Sequence, residues 1–133
     1  MNDMSDIQAN PLLQPWDTPF GLPPFGQLRP EHFAPALEEA MRRHLAEIDA
    51  IAARPDAPTF ANTVAAFDAS GRDFMRVGAV FANLTKSETS PELQAVEREM
   101  APRLAAHQSA VHLHEGLFRR IDGLHARRGE LGL

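Results

Sequence analysis

Six histidines and eighteen carboxylates, with no cysteine, set the chemistry open to this 133-residue chain. A helical metal pair needs ligands three or four residues apart, so that both side chains leave one face. His112 and Glu115 have that spacing but supply only two ligands. His107 and His114 share a face yet stand roughly 10 Å apart along a straight helix axis, too far for one zinc with ligand bonds of ~2 Å. Both fall on or beside an apolar stripe, where a hydrogen-bonded core or boundary histidine is the usual arrangement. His114-Glu115-Gly116-Leu117-Phe118 begins like the helical HExxH site, in which two histidines bind zinc and the glutamate is the base. Phe118 stands where the second histidine belongs, so the motif fails at a ligand. Without cysteine there is no thiol nucleophile, disulfide or thiolate zinc site. There is no G-x-S-x-G elbow and no glycine-rich phosphate loop. The acids at Glu38-Glu39 and from Glu97 to Glu99 read as solvated helix faces. The residues therefore designate no catalytic, cofactor-binding or metal-binding position.

The elements that would carry these side chains are helical. From Thr59 to Thr85, Phe60, Phe67, Phe74 and Phe81 recur at steps of seven, with Val64, Val77 and Leu84 at helical offsets between them. Side chains three, four and seven apart share one helix face, so this stretch is the centre of the chain. Its stripe reads as the core face of a helical domain rather than as a coiled-coil seam or a partner groove, since a seam needs more heptads and charged flanks. Ser70-Gly71 interrupts it without changing its phase, which predicts a bent helix or two short collinear ones. Before it, Arg29 to Ala53 places Phe33, Leu37, Met41, Leu45, Ile48 and Ala52 on one face. Glu38 with Arg42 and Glu39 with Arg43 are expected as i,i+4 pairs. The Arg54-Pro55-Asp56-Ala57-Pro58 run ends that helix, and Thr59 is a candidate N-cap for the next.

Lys86 to Thr89 reads as a polar turn. Ser90-Pro91-Glu92 has a cap, a first-turn proline and an acid at the positive end of the dipole. The helix it opens is expected to run to about Arg128 on a stripe of Leu93, Val96, Met100, Leu104, Val111, Phe118 and Ile121, with a kink at Pro102. Gly129 and Gly132 are candidate stops. At the other end, residues 1–9 are expected to be disordered. Asn10 to Leu28 carries five prolines among Leu12, Trp16, Phe20, Phe25 and other apolar residues. That composition predicts an extended arm on the domain surface, anchored by Trp16 and Phe20. The expected fold is all-α: residues 10–133 as a single helical domain of three to four antiparallel helices, one kinked at Pro102, behind a Pro-rich N-terminal arm.

The net charge of −5 argues against nucleic-acid binding, which rests on clustered lysine and arginine. No apolar run approaches the ~20 residues of a membrane span, and the first ten residues lack the basic and apolar regions of a signal peptide. The absence of cysteine is compatible with a cytoplasmic protein.

Several blocks, in order, carry a resemblance. NPLLQPWDTPFGLPPFGQLRPEHFAPALEEAM and AEIDAIAARPDAPTFANTVAAFDASG are similar to the opening of bacterial peptidyl-dipeptidases. The likeness continues through RVGAVFANL, LQAVEREMAPRLAAH and LFRRIDGLHARRGELGL. These enzymes are zinc metallopeptidases of the thimet oligopeptidase and oligopeptidase A family. The resemblance implies a mostly helical protein in which N-terminal helices form one wall of a substrate channel, and the zinc-binding HExxH helix lies far downstream. On that reading this chain is an N-terminal part, inactive alone, whose partners are the C-terminal catalytic part and short peptide substrates. None of the family's metal ligands has a counterpart here. The alternative is a stand-alone helical module that binds peptide or a protein partner without catalysis. An exposed apolar interface, expected under either reading, would also allow a homodimer.

Overall fold

The computed structural model describes residues 4–87 and 90–132, and among them there is no strand. Six α-helices follow in order: α1 (Met4–Ala9), α2 (Phe33–Ala52), α3 (Ala66–Ala69), α4 (Arg72–Ser87), α5 (Pro91–His112) and α6 (Glu115–Ala126). A π-helical turn, Phe60–Ala65, runs directly into α3. Glu88 and Thr89, half of the expected polar turn, lie outside the described residues; Lys86 and Ser87 complete α4.

α2 is the spine, because its apolar face changes neighbours along its length. Phe33, Ala36, Leu37 and Met41 bury against Val77, Val80 and Phe81 of α4 and Leu93 and Met100 of α5. Two turns further on, Ile48 and Ile51 pack instead with Leu117 of α6, beside Phe67 and Val111. The aromatic stripe therefore serves two clusters. Phe81 is buried and Phe74 packs on the first cluster, Phe67 on the second, while Phe60 stays largely exposed. The predicted interruption falls at Ser70-Gly71, where Gly71 takes φ +72° and separates α3 from α4.

Both expected caps are present. Asn62 N–H donates to Thr59 Oγ1 at 3.0 Å while Thr59 N–H donates to Asn62 Oδ1 at 2.7 Å, a reciprocal capping box. Leu93 N–H donates to Ser90 Oγ at 3.1 Å at the start of α5. α5 continues across Pro102, whose missing N–H leaves the carbonyl one turn earlier without its helical donor.

The expectation of one helix from Ser90 to about Arg128 is corrected. The chain leaves helical geometry at His114 (φ −70°, ψ 104°) and restarts as α6. The break shifts the stripe, so that Leu117, Arg120 and Leu124 face inward and Phe118 and Ile121 face out. α6 also ends at Ala126, ahead of Gly129 and Gly132. The pairing of Glu38 with Arg42 is corrected too. Glu39 holds Arg42 and Arg43 together, and Glu38 crosses to Arg103 of α5.

Where residues 1–9 are expected to be disordered, Met4–Ala9 forms α1; residues 1–3 lie outside the described residues. The arm that follows turns rather than running straight, through 3-10 turns at Pro19–Gly21, Phe25–Gln27 and Pro30–His32. Its anchor is Leu12, fully buried. The Asn10 side chain locks that turn, donating to His32 O at 2.9 Å and accepting from Leu12 N–H at 3.0 Å. Trp16 packs against the core as expected, with the Arg76 guanidinium 4.5 Å from its ring centroid. Phe20 is no anchor: it sits at φ +62° on the tip of a turn and is 99% exposed.

Candidate functional site

Two histidine-centred clusters hold the helices together. In the first, His44 leaves α2 and His107 leaves α5, and His44 Nδ1 and His107 Nε2 stand 2.9 Å apart in one hydrogen bond. Phe74 of α4 covers both rings, with centroids 5.7 Å from His44 and 4.7 Å from His107. The approach of α4 depends on Gly71. A Cβ there would lie 2.7 Å from the His44 ring, and Gly71 N–H donates to Glu47 Oε2 at 2.9 Å. Burial pulls the pKa of His44 below the ordinary histidine value, partly opposed by the Glu47 carboxylate. Burial does the same to His107, and the neighbouring His44 adds to it. A low pKa keeps both rings neutral near neutral pH.

The second cluster is the α5–α6 corner. His114 Nδ1 accepts from Leu117 N–H at 3.0 Å and so caps α6. Its other nitrogen, Nε2, meets Asp49 Oδ1 of α2 at 2.7 Å. α6 can lie close to α2 because residue 116 is glycine: a Cβ there would sit 2.8 Å from Ala52 Cβ. The corner exposes Leu113 (77%) and Phe118 (65%) around a shallow depression also lined by His112, Glu115 and Arg119.

His107 is a buried and His114 a half-buried hydrogen-bonded residue, as their stripe position predicts, and they hold different partners. The partial HExxH match is a helix start: His114 is a cap, Glu115 opens α6 and Phe118 points outward. His112 is exposed, and no group of three His, Cys, Asp or Glu side chains that could hold a metal ion occurs among the described residues.

No protein-family model matches the chain, but curated relatives do. It is 36% identical over 127 residues to a protein named dipeptidyl carboxypeptidase from Salmonella typhimurium, covering 96% of this chain and 19% of that one. With the dipeptidyl carboxypeptidase of Escherichia coli it shares 38% identity over 124 residues, or 93% of this chain and 18% of the relative. The chain is homologous to these peptidases. Oligopeptidase A of Escherichia coli is also similar, 32% identical over 120 residues, covering 87% of this chain and 16% of the relative. The chain thus spans less than a fifth of the length of each of these relatives.

The peptidase relatives' shared segment is here a helical unit held by polar as well as apolar contacts. Arg120 is the residue that pattern reading misses. Buried on α6, it donates through Nη1 to Arg54 O at 2.9 Å and Asp56 O at 3.0 Å, and through Nη2 to Asn62 Oδ1 at 3.1 Å. It ties the 53–58 loop and the π-helical turn to α6. His44 and Asp49 also escape a search for motifs, since each acts on a partner more than sixty positions away. No helix among the described residues is long and apolar enough to cross a membrane.

Proposed function

We propose that this chain is the N-terminal helical part of a zinc-dependent peptidyl-dipeptidase, an enzyme that releases dipeptides from the C-terminus of oligopeptides in the cytoplasm. The observation that carries the reading is one of proportion. Homology covers 96% of this chain but only 19% of a dipeptidyl carboxypeptidase, and the sequence holds no intact HExxH. The segment forms one wall of the substrate channel, and its partner is the C-terminal catalytic part.

Zinc does not fit the residues present. The described side chains bring no three metal-ligating groups together, and the two residues with ligand spacing in the sequence, His112 and Glu115, are both exposed. No catalytic step is therefore assigned to this segment, and the metal belongs to the catalytic part. Lack of cysteine suits a reducing compartment.

The test is the size of the native protein in its own cells, read with an antibody raised against this segment. A band several times heavier than 14.7 kDa is expected. A band at 14.7 kDa overturns the reading in favour of a stand-alone interaction module, with Leu113 and Phe118 as the exposed apolar face such a module would use. The isolated chain, with or without added zinc, is expected to release no dipeptide; turnover that follows this chain through purification would contradict the assignment.

A further inference from the structure

The His44–His107 bond joins α2 to α5 through one proton shared by two imidazoles. A neutral pair carries two protons on four ring nitrogens. One proton lies in the shared bond. The second sits on His44 Nε2, where it costs less than on His107 Nδ1 because the His44 ring is only partly buried. His107 Nδ1 then stays bare, which matters because His107 is 5% exposed and that nitrogen is buried without a hydrogen-bond partner.

A third proton has no comparable place. If the shared bond is kept, the proton must go to His107 Nδ1 and make a buried N–H with no acceptor. If His107 Nδ1 is left bare, both nitrogens of the shared bond carry hydrogen and the bond is lost. An unpaired buried donor and a lost interhelical bond are each costly, and the charge itself is poorly solvated there.

We propose that the His44–His107 pair is a pH-sensitive latch, closed while neutral, that releases α5 from α2 when the pair takes up one proton. The surroundings offer little to hold that charge. From α2, the Glu47 carboxylate, which also accepts from Gly71 N–H, attracts a proton to His44, but burial outweighs that attraction. From α4, Phe74 presents only a ring, and the neighbouring Asp73 is tied to Arg43 and Arg76. From α5, Arg103 lies one turn before His107 and is paired with Glu38 and Glu99.

The direction in pH follows from the lowered values of both rings. Unfolded imidazoles take up protons near ~6.5, before the folded ones do. The latch's contribution is thus complete above ~6.5 and is lost as pH falls below it, by up to about tenfold in the folding constant per pH unit for each proton.

The test compares urea unfolding of the full chain with that of His107→Gln at pH 7.5 and pH 5.5. The wild-type folding constant is expected to drop about tenfold more than the variant's over that interval; equal drops overturn the latch. Imidazole nitrogen NMR of the wild-type chain decides independently, even if the variant does not fold. At pH 7.5 His107 is expected to carry its proton on Nε2 and leave Nδ1 bare, with uptake below ~6.5. A His107 that is protonated on Nδ1 at pH 7.5, or that titrates at or above that value, overturns the proposal.

Discussion

Asp49 of α2 and His114 between α5 and α6 face each other at 2.7 Å, and the geometry fixes the proton between them. His114 Nδ1 accepts from Leu117 N–H, so it is bare, and Nε2 carries the hydrogen that Asp49 Oδ1 accepts. A neutral imidazole therefore does two things at once: it starts a helix and pins that start to the spine. The cap is the larger contribution, since the Asp49 carboxylate is mostly exposed and solvent screens it. His114→Ala is expected to lose about 1 kcal/mol of stability in urea unfolding. His114→Asn, which can cap but reaches less far, should recover most of it. Equal losses for Ala and Asn would mean that the contact with Asp49, not the cap, holds the corner.

Arg120 is a buried cation whose bonded partners are two carbonyl oxygens and one amide oxygen, with no carboxylate among them. The two carbonyl oxygens come from the proline-rich 53–58 loop, which has no helix of its own to satisfy them, and the amide oxygen from Asn62 in the π-helical turn. Arg120→Met keeps the stem and removes the donors, and it is expected to cost about 2–4 kcal/mol, the usual scale for stranding buried hydrogen-bond partners. Arg120→Lys should rescue little, because an ammonium cannot reproduce the planar fork that reaches all three oxygens. Urea midpoints within 0.5 M of wild type, taken as roughly the margin of a surface substitution, would show the loop to be held by its prolines instead.

Phe118 separates the periodicity from the structure. Its place seven residues after Val111 assigns it to the core, whereas the break at His114 turns it outward. Phe118→Ser is therefore expected to change stability by no more than about 0.5 kcal/mol, while Leu117→Ala, one position earlier, costs about 2–5 kcal/mol. The reverse order in thermal unfolding would restore the uninterrupted helix.

What was legible in the sequence divides along the same line. Local signals worked: Thr59 and Ser90 cap the helices they precede, Gly71 interrupts the aromatic stripe, and Phe33, Leu37, Met41 and Ile48 line one face of α2. The spacing of His107 and His114 on one stripe points to hydrogen-bonded residues, and each does hold a partner on α2. What stayed hidden depends on partners distant in sequence. Nothing beside His114 announces Asp49, and without that partner a heptad running on through Val111 and Phe118 looks continuous. Phe20 misled for a related reason, because its apolar character says nothing of the positive φ that lifts it off the surface. Arg120 reads as one more charge on a helix until the loop it holds is seen.

Gly71 joins the backbone break to the histidine pair, and its replacement tests both. Its φ of +72° is unfavourable for a residue with a Cβ, a cost of about 1–2 kcal/mol. A Cβ would also press to 2.7 Å on the His44 ring. The two causes separate by substitution. Asparagine tolerates the left-handed conformation better than alanine does but brings the same Cβ. If conformation dominates, Gly71→Asn should be clearly milder than Gly71→Ala. If the ring contact dominates, the two should be nearly equal, and both should be eased in a His44→Ala background where the space is open. The close approach leads us to expect the second pattern, with at least 1 kcal/mol of coupling between positions 44 and 71, in the range found for residues in contact. A double-mutant cycle in urea measures it directly. Coupling below about 0.3 kcal/mol, the scatter expected of independent sites, would mean that the ring moves aside freely and that Gly71 is required for its backbone alone.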